Sequence, residues 1–336
     1  MKSTMIPVAI IDSGIGAEDI KEMHGKIEAY EIVEEEGNLV LRAGGEDLNG
    51  HGSLCISTIY KECAQVEIIS IKIFDKKLKT SIEYLEYALK CLLYRDVRII
   101  NLSLAITEKT DTSQLLVLCK KLEEQGKIII AAVENGKHSS EPANYKQIIG
   151  VQGENIKDDM WELRFGNLNF IKQSIPYLHL NHNHTFQMFG NCNSSAAAMI
   201  TGIVARMMLE QTAITKKDII KKLKGMSVKK FNFEKNFSVN RLHPCFKDKS
   251  IDYNEDRLIK IENALGKFFD IKDTKIFYSY ALYSSKIGGR NLDYFTLIQC
   301  FEKEFDFNIE NYRMVSKYDC TSIYSIYKFL MGEMGW

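Results

Sequence analysis

KIIIAAV, residues 127–133, is a short apolar run rich in β-branched residues, with no polar position after its lysine. A near-continuous run of this kind reads as a strand buried on both faces, whereas a half-exposed strand alternates. The segment before it, SQLLVLCKKLEEQG (113–126), has the spacing of an amphipathic helix and ends on glycine. Working outward, the pair repeats. VRIINLSL (97–104) follows the helical IEYLEYALKCLLY (82–94), and PVAIID (7–12), VEIISIKIF (66–74) and QIIGVQG (147–153) are further strands of the same type. Buried strands alternating with helices predict an α/β fold with three layers, a parallel sheet covered by helices on both faces. In such sheets ligands gather at the carboxyl ends of the strands, so chemistry is expected just after each apolar run.

The chain has 336 residues, enough for a sizeable core and two domains. Forty-four basic residues balance forty-four acidic ones, and hydrophobic residues make up 45%. No global field therefore argues for nucleic acid or an anionic membrane as partner. The sequence has no apolar run long enough to span a bilayer. Its beginning, MKSTMIPVAIIDSGIG, has neither the apolar core nor the cleavage site of a secretory signal. The eight cysteines form no CxxC pair and lie mostly in helical or apolar context, as reduced, buried thiols do. The expectation is a cytoplasmic protein.

Residues 1–230 carry the α/β pattern. Charge and asparagine then replace periodicity, which reads as a linker or irregular edge over 231–254. Residues 255–336 are helical, with EDRLIKIENALGKFF, LDYFTLIQCFEKEF and SIYSIYKFL, and predict a small all-α domain.

Polar residues punctuate the strand ends and helix starts. Asp12 ends the first strand in IIDSGIG, His51 opens a helix in NGHGSLCISTIY, and Ser194 opens another in NSSAAAMITG. A serine hydroxyl is a weak nucleophile until a base takes its proton. An imidazole can do so near neutral pH, and a buried carboxylate can hold its tautomer.

In this order the segments resemble those of the subtilisin-like serine peptidases, the subtilases. VAIIDSGI is similar to the family strand ending in Asp-Thr/Ser-Gly, and HGSLCIST to its His-Gly-Thr-His-Val-Ala-Gly segment. NSSAAAMITG is similar to Thr-Ser-Met-Ala-Ala/Ser-Pro-His-Val-Ala-Gly, and the distance to Gly202 selects Ser194 over Ser195. The resemblance covers about residues 6–225 and implies a serine endopeptidase with an Asp12–His51–Ser194 triad. It implies an oxyanion-hole amide at Asn135 in AAVENG, and substrate-binding segments at Ser103, Leu104 and Ala105 and at Ala132, Val133 and Glu134.

Several positions depart from the family pattern. Leu54 stands for the second histidine, Cys192-Asn193 for the Gly-Thr before the serine, and Ala198-Met199 for Pro-His. Family glycines become Ala105 and Glu134 at the walls of the pocket for the residue before the scissile bond. A glutamate there either narrows the pocket or selects a basic side chain. No cofactor is required by this chemistry, and no acidic cluster commits the chain to a structural calcium. HLNHNH (179–184) is expected to be a solvated loop, not a metal site.

IGGRNLDYFTLIQCFEKEFDFNI, within 255–332, resembles the second-helix region of acyl or peptidyl carrier proteins, with Asn291 where the phosphopantetheine serine would stand. A degenerate carrier-like domain implies binding, not loading. With no secretion signal and no inhibitory prodomain before the first strand, the expected activity is intracellular processing of a precursor peptide. The partner is a peptide or protein substrate, with docking on the C-terminal domain. Two alternatives stay open here: a catalytically silent binding protein, and a transpeptidase or macrocyclase using the same acyl-enzyme.

Overall fold

A computed structural model describes residues 5–16, 27–106, 110–154, 160–165, 167–182, 185–227, 247–248, 250–289 and 292–336. These fall into two compact units: one comprises 1–174, 180–184 and 190–237, the other 175–179, 185–189 and 238–336.

The first unit is built on a nine-stranded sheet in the order β3-β2-β4-β1-β5-β6-β7-β9-β8. The expected strands are β1 (Ile6–Asp12), β4 (Val66–Lys72), β5 (Ile99–Leu102), β6 (Ile128–Ala132) and β7 (Ile148–Glu154). They pair in parallel as β4-β1-β5-β6-β7. Two hairpins extend the edges: β2 (Ile27–Glu35) with β3 (Asn38–Ala43), and β8 (Met160–Phe165) with β9 (Asn167–Gln173). Both hairpins are antiparallel, and β2 and β9 join the central strands in parallel.

Alternate residues of the central strands, among them Ala9, Ile11, Ile100, Leu102, Ile129 and Ala131, share one buried cluster with two helices. The helices are α2 (Ile82–Leu92) and α3 (Ser113–Glu124), which contribute Leu85, Leu89, Leu115 and Leu122. The other layer holds α1 (His51–Glu62) and α4 (Asn193–Glu210), which pack on each other, followed by α5 (Lys216–Met226). The close α1–α4 approach explains the glycine in the ITG of α4. A Cβ on Gly202 would meet the Ile59 carbonyl oxygen at 2.8 Å and Glu62 Cβ at 2.5 Å. The three-layer α/β architecture expected from the sequence is therefore the one observed.

The second unit contains α6 (Glu255–Phe269), α7 (Tyr294–Phe305) and α8 (Ile323–Met334). The side chains of Asn254, Asp293 and Ser322 cap their first turns, satisfying backbone N–H groups that have no partner within the helix. A short hairpin, β10 (Tyr177–Leu180) with β11 (Phe186–Phe189), supplies Leu178 to the helical core. Phe186 packs beside Phe295 and Tyr312, with ring centroids 5.4 and 4.9 Å away. This corrects the reading of HLNHNH as a solvated loop. His179 lies on β10, fully buried, with its ring edge-on to Phe189. His182 is half-buried, and His184 lies outside the described residues, as do Asn291 and most of 231–254.

Candidate active site

The carboxyl ends of adjacent strands β1, β5 and β6 bring three polar segments to one edge of the sheet. Asp12 is the last residue of β1 and is fully buried. Its Oδ1 accepts the Ser13 N–H at 2.8 Å and faces His51 Nδ1 at 2.7 Å. An ionised carboxylate only accepts, so Nδ1 carries a proton toward Asp12, and when the ring is neutral Nε2 is the base. Burial works against a charged imidazole, yet the Asp12 carboxylate, aided by the Cys55 sulfur, outweighs it and raises the His51 pKa above its ordinary 6.5.

His51 is the first residue of α1, and its position depends on an acidic residue that sequence reasoning missed. Asp47 is buried and accepts four hydrogen bonds: from Ser13 Oγ (2.9 Å), Asn49 N (3.0 Å), Gly50 N (2.7 Å) and Ser53 N (2.9 Å). Ser13 Oγ in turn accepts the Gly52 N–H at 2.8 Å. One carboxylate thus ties the residue after Asp12 to the residues on both sides of His51 and caps the first turn of α1. Its only sequence signal was an aspartate four residues before the histidine.

Ser194 is half-buried in the first turn of α4, while Ser195 is fully buried with no hydrogen-bond partner for its hydroxyl among the described residues. The Ser194 hydroxyl donates to the Ser103 carbonyl at 3.1 Å, and Ser103 Oγ donates to the Ser194 carbonyl at 3.1 Å. Asn101 and Thr201 extend this chain of bonds from β5 into α4. Asn135 follows β6 and is exposed; its Oδ1 accepts the Asn193 N–H at 3.1 Å, which leaves its NH₂ to donate elsewhere.

Of the positions expected from the sequence to bind substrate, Ser103, Leu104 and Ala105 follow β5, and Val133 and Glu134 follow Ala132 at the end of β6. The Glu134 N–H donates to Ser140 Oγ at 2.8 Å, and its half-buried carboxylate has no partner among the described residues. Two thiols lie close by. Cys55 Sγ is 4.0 Å from His51 Nδ1, and Cys192 occupies the position just before the first residue of α4. Burial pushes both thiols above their ordinary pKa. Among the described residues, Asp12, His51 and Cys55 bring metal-capable donor atoms within 4.8 Å of one another, but the carboxylate and imidazole there are already bonded to each other.

Family and fold together mark the chain as a serine endopeptidase. The chain belongs to the subtilase family: the model of the subtilase peptidases matches residues 3–240. A solved structure described as a cold adapted subtilisin-like serine proteinase is similar in fold, with a TM-score of 0.53 at 16% identity. That likeness covers 66% of this chain and 82% of the other. No curated protein matches the sequence. Among the described residues, no helix is long and apolar enough to cross a membrane.

Proposed function

We propose that Ser194 is the nucleophile of this endopeptidase, His51 its general base and acid, and Asp12 the carboxylate that orients His51. The observation that carries the reading is the 2.7 Å bond between a fully buried Asp12 and His51 at the edge of the sheet that also holds Ser194. Ser194 turns from the Ser103 carbonyl toward His51 and attacks the peptide carbonyl as its proton passes to Nε2. The same proton then goes to the leaving amine, and water repeats the cycle on the acyl-enzyme. Asn135 and the Ser194 N–H hold the tetrahedral oxyanion, a contribution of about 3 kcal/mol for one side-chain amide.

Substrate lies along Ser103–Ala105, with Ala132–Glu134 opposite. The Glu134 carboxylate, which has no partner among the described residues and whose backbone N–H donates to Ser140 Oγ, selects a basic residue before the scissile bond. The substrate is a precursor peptide processed in the cytoplasm, and the C-terminal unit, carrier-like in sequence, docks it. Peptide mixtures with varied residues before the cleavage site test this reading. Hydrolysis at basic residues, with products heavier by one water, is the expected result. An acyl fragment lighter by one water than its hydrolysed form would indicate cyclisation instead, and no preference at all would refute the role given to Glu134.

A further inference from the structure

Subtilases place threonine directly before the nucleophile; this chain places Asn193 there, and the structure shows what the change accomplishes. Asn193 is 4% exposed, yet every polar group it carries toward the site is paired. Its Oδ1 accepts the Gly153 N–H at 2.7 Å, on β7. Its Nδ2 donates to the Val133 carbonyl at 2.8 Å, just past β6. Its backbone N–H donates to Asn135 Oδ1 at 3.1 Å. A threonine hydroxyl could serve one of the first two bonds well, but a carboxamide spans both, because it offers an acceptor and donors side by side in one plane, pointing in different directions.

The backbone around it is built for that reach. A Cβ on Gly153 would lie 2.4 Å from the Cys192 carbonyl oxygen, so β7 runs directly against the cap of α4. The Val133 N–H is itself bonded to the Val151 carbonyl at 2.9 Å, so both backbone groups of Val133 are engaged. The residue two positions before Asn135 therefore has little freedom to shift.

We infer that Asn193 is the positioning residue of the oxyanion hole. It locks the segment bearing Asn135 to the start of the nucleophile helix. It also engages the amide oxygen of Asn135, so that the NH₂ group faces the developing oxyanion. This rests on the roles proposed above for Ser194 and Asn135. Asn193 touches no substrate; it acts through Asn135, whose donor counts only if it already lies where charge will develop. A misplacement of about 1 Å costs on the order of 100-fold in rate.

The test uses the full chain and a fluorophosphonate. In its reaction the Ser194 Oγ–P bond forms, the P–F bond breaks, and the serine proton goes to His51 as fluoride leaves. The phosphoryl oxygen occupies the oxyanion position. Second-order labelling rates are measured by intact mass for wild type, Asn135→Ala, Asn193→Ala, Asn193→Thr and the Asn135→Ala/Asn193→Ala double variant, with thermal melts alongside. Asn193→Ala should slow labelling roughly 10- to 100-fold, and Asn193→Thr, keeping one of the two bridges, should recover part of the loss. The acid limb of the pH profile should stay in place, because His51 is untouched. The double variant should label no more than about 2-fold slower than Asn135→Ala alone, since coupled residues are non-additive.

Losses that multiply in the double variant, or a wild-type rate in Asn193→Ala, would overturn the inference while leaving Ser194 and Asn135 in their roles. A wild-type protein that takes no adduct would overturn those roles and this inference with them. If Asn193→Ala does not fold, the comparison of Asn193→Thr with and without Asn135→Ala decides the question in the same way.

Discussion

Replacing Asp12 with asparagine keeps the shape of the site and removes the charge that faces His51. The amide offers an N–H₂ where the imidazole needs an acceptor, so the ring no longer holds its proton on Nδ1. Labelling of Ser194 should fall by about 10⁴-fold, the cost this change carries in other serine peptidases with such a triad. The pH profile should change in the opposite sense. The base works only when neutral, so wild-type activity rises with pH through the raised His51 pKa, above 6.5. Across a 2.7 Å contact the charge centres lie about 4 Å apart, worth about 4 kcal/mol at an effective permittivity of 20. Without Asp12, burial, which lowers the imidazole pKa, is opposed only by the weaker influence of the Cys55 sulfur. The small residual activity of Asp12→Asn should therefore have its acid limb displaced to lower pH. Fluorophosphonate labelling rates from pH 5 to 10, read by intact mass, measure both effects. An acid limb that stays in place, or moves upward, would refute the assignment of Asp12 as the charge partner of His51.

Asp47→Ala removes the acceptor of four hydrogen bonds around the start of α1 and should slow labelling about 100-fold, because His51 loses its anchor. The same variant should lose at least about 2 kcal/mol of stability in urea titration, from buried N–H groups left unpaired. Gly202→Ala forces a methyl into the Ile59 carbonyl and Glu62 at the α1–α4 contact, and should cost about 1–3 kcal/mol by the same measurement. Glu134→Gln should erase the preference for basic residues before the scissile bond while leaving the labelling rate within about 3-fold of wild type, since a neutral amide attracts a cation far less. The His51–Asp12 pair stabilises the fold below pH 6.5, and that contribution fades as pH rises through the raised folded-state pKa of His51. The melting difference between wild type and Asp12→Asn should accordingly shrink from pH 6 toward alkaline pH.

The central strands were legible because both faces of each are covered, so no solvent-facing position interrupts the run of Ile, Val and Ala. The edge hairpins were not. β2 and β3 read as IEAYEIVEE and NLVLRA, where charge and half-buried residues hide the period, and their best signal was the Glu36-Gly37 turn, with φ of 50° and 76°. The hairpin β10–β11 was missed because His179 is polar by type yet fully buried beside Phe189, a packing that only distant residues create. Asp12, His51 and Ser194 stood out in the sequence because each stands at the junction of an apolar run and a turn. Asp47 could not, since its importance lies in four backbone and hydroxyl donors that converge on it only after folding. Asn193 was visible as a departure from the family pattern, but its meaning depends on Gly153 and Val133, 40 and 60 residues earlier.

The central claim is that Ser194 is activated by His51, and intact mass after fluorophosphonate treatment tests it most directly. A single adduct on wild type, absent from Ser194→Ala and strongly slowed in Asp12→Asn, is the predicted result. A folded wild-type protein that takes no adduct, or a Ser194→Ala variant that labels as wild type does, would contradict the account.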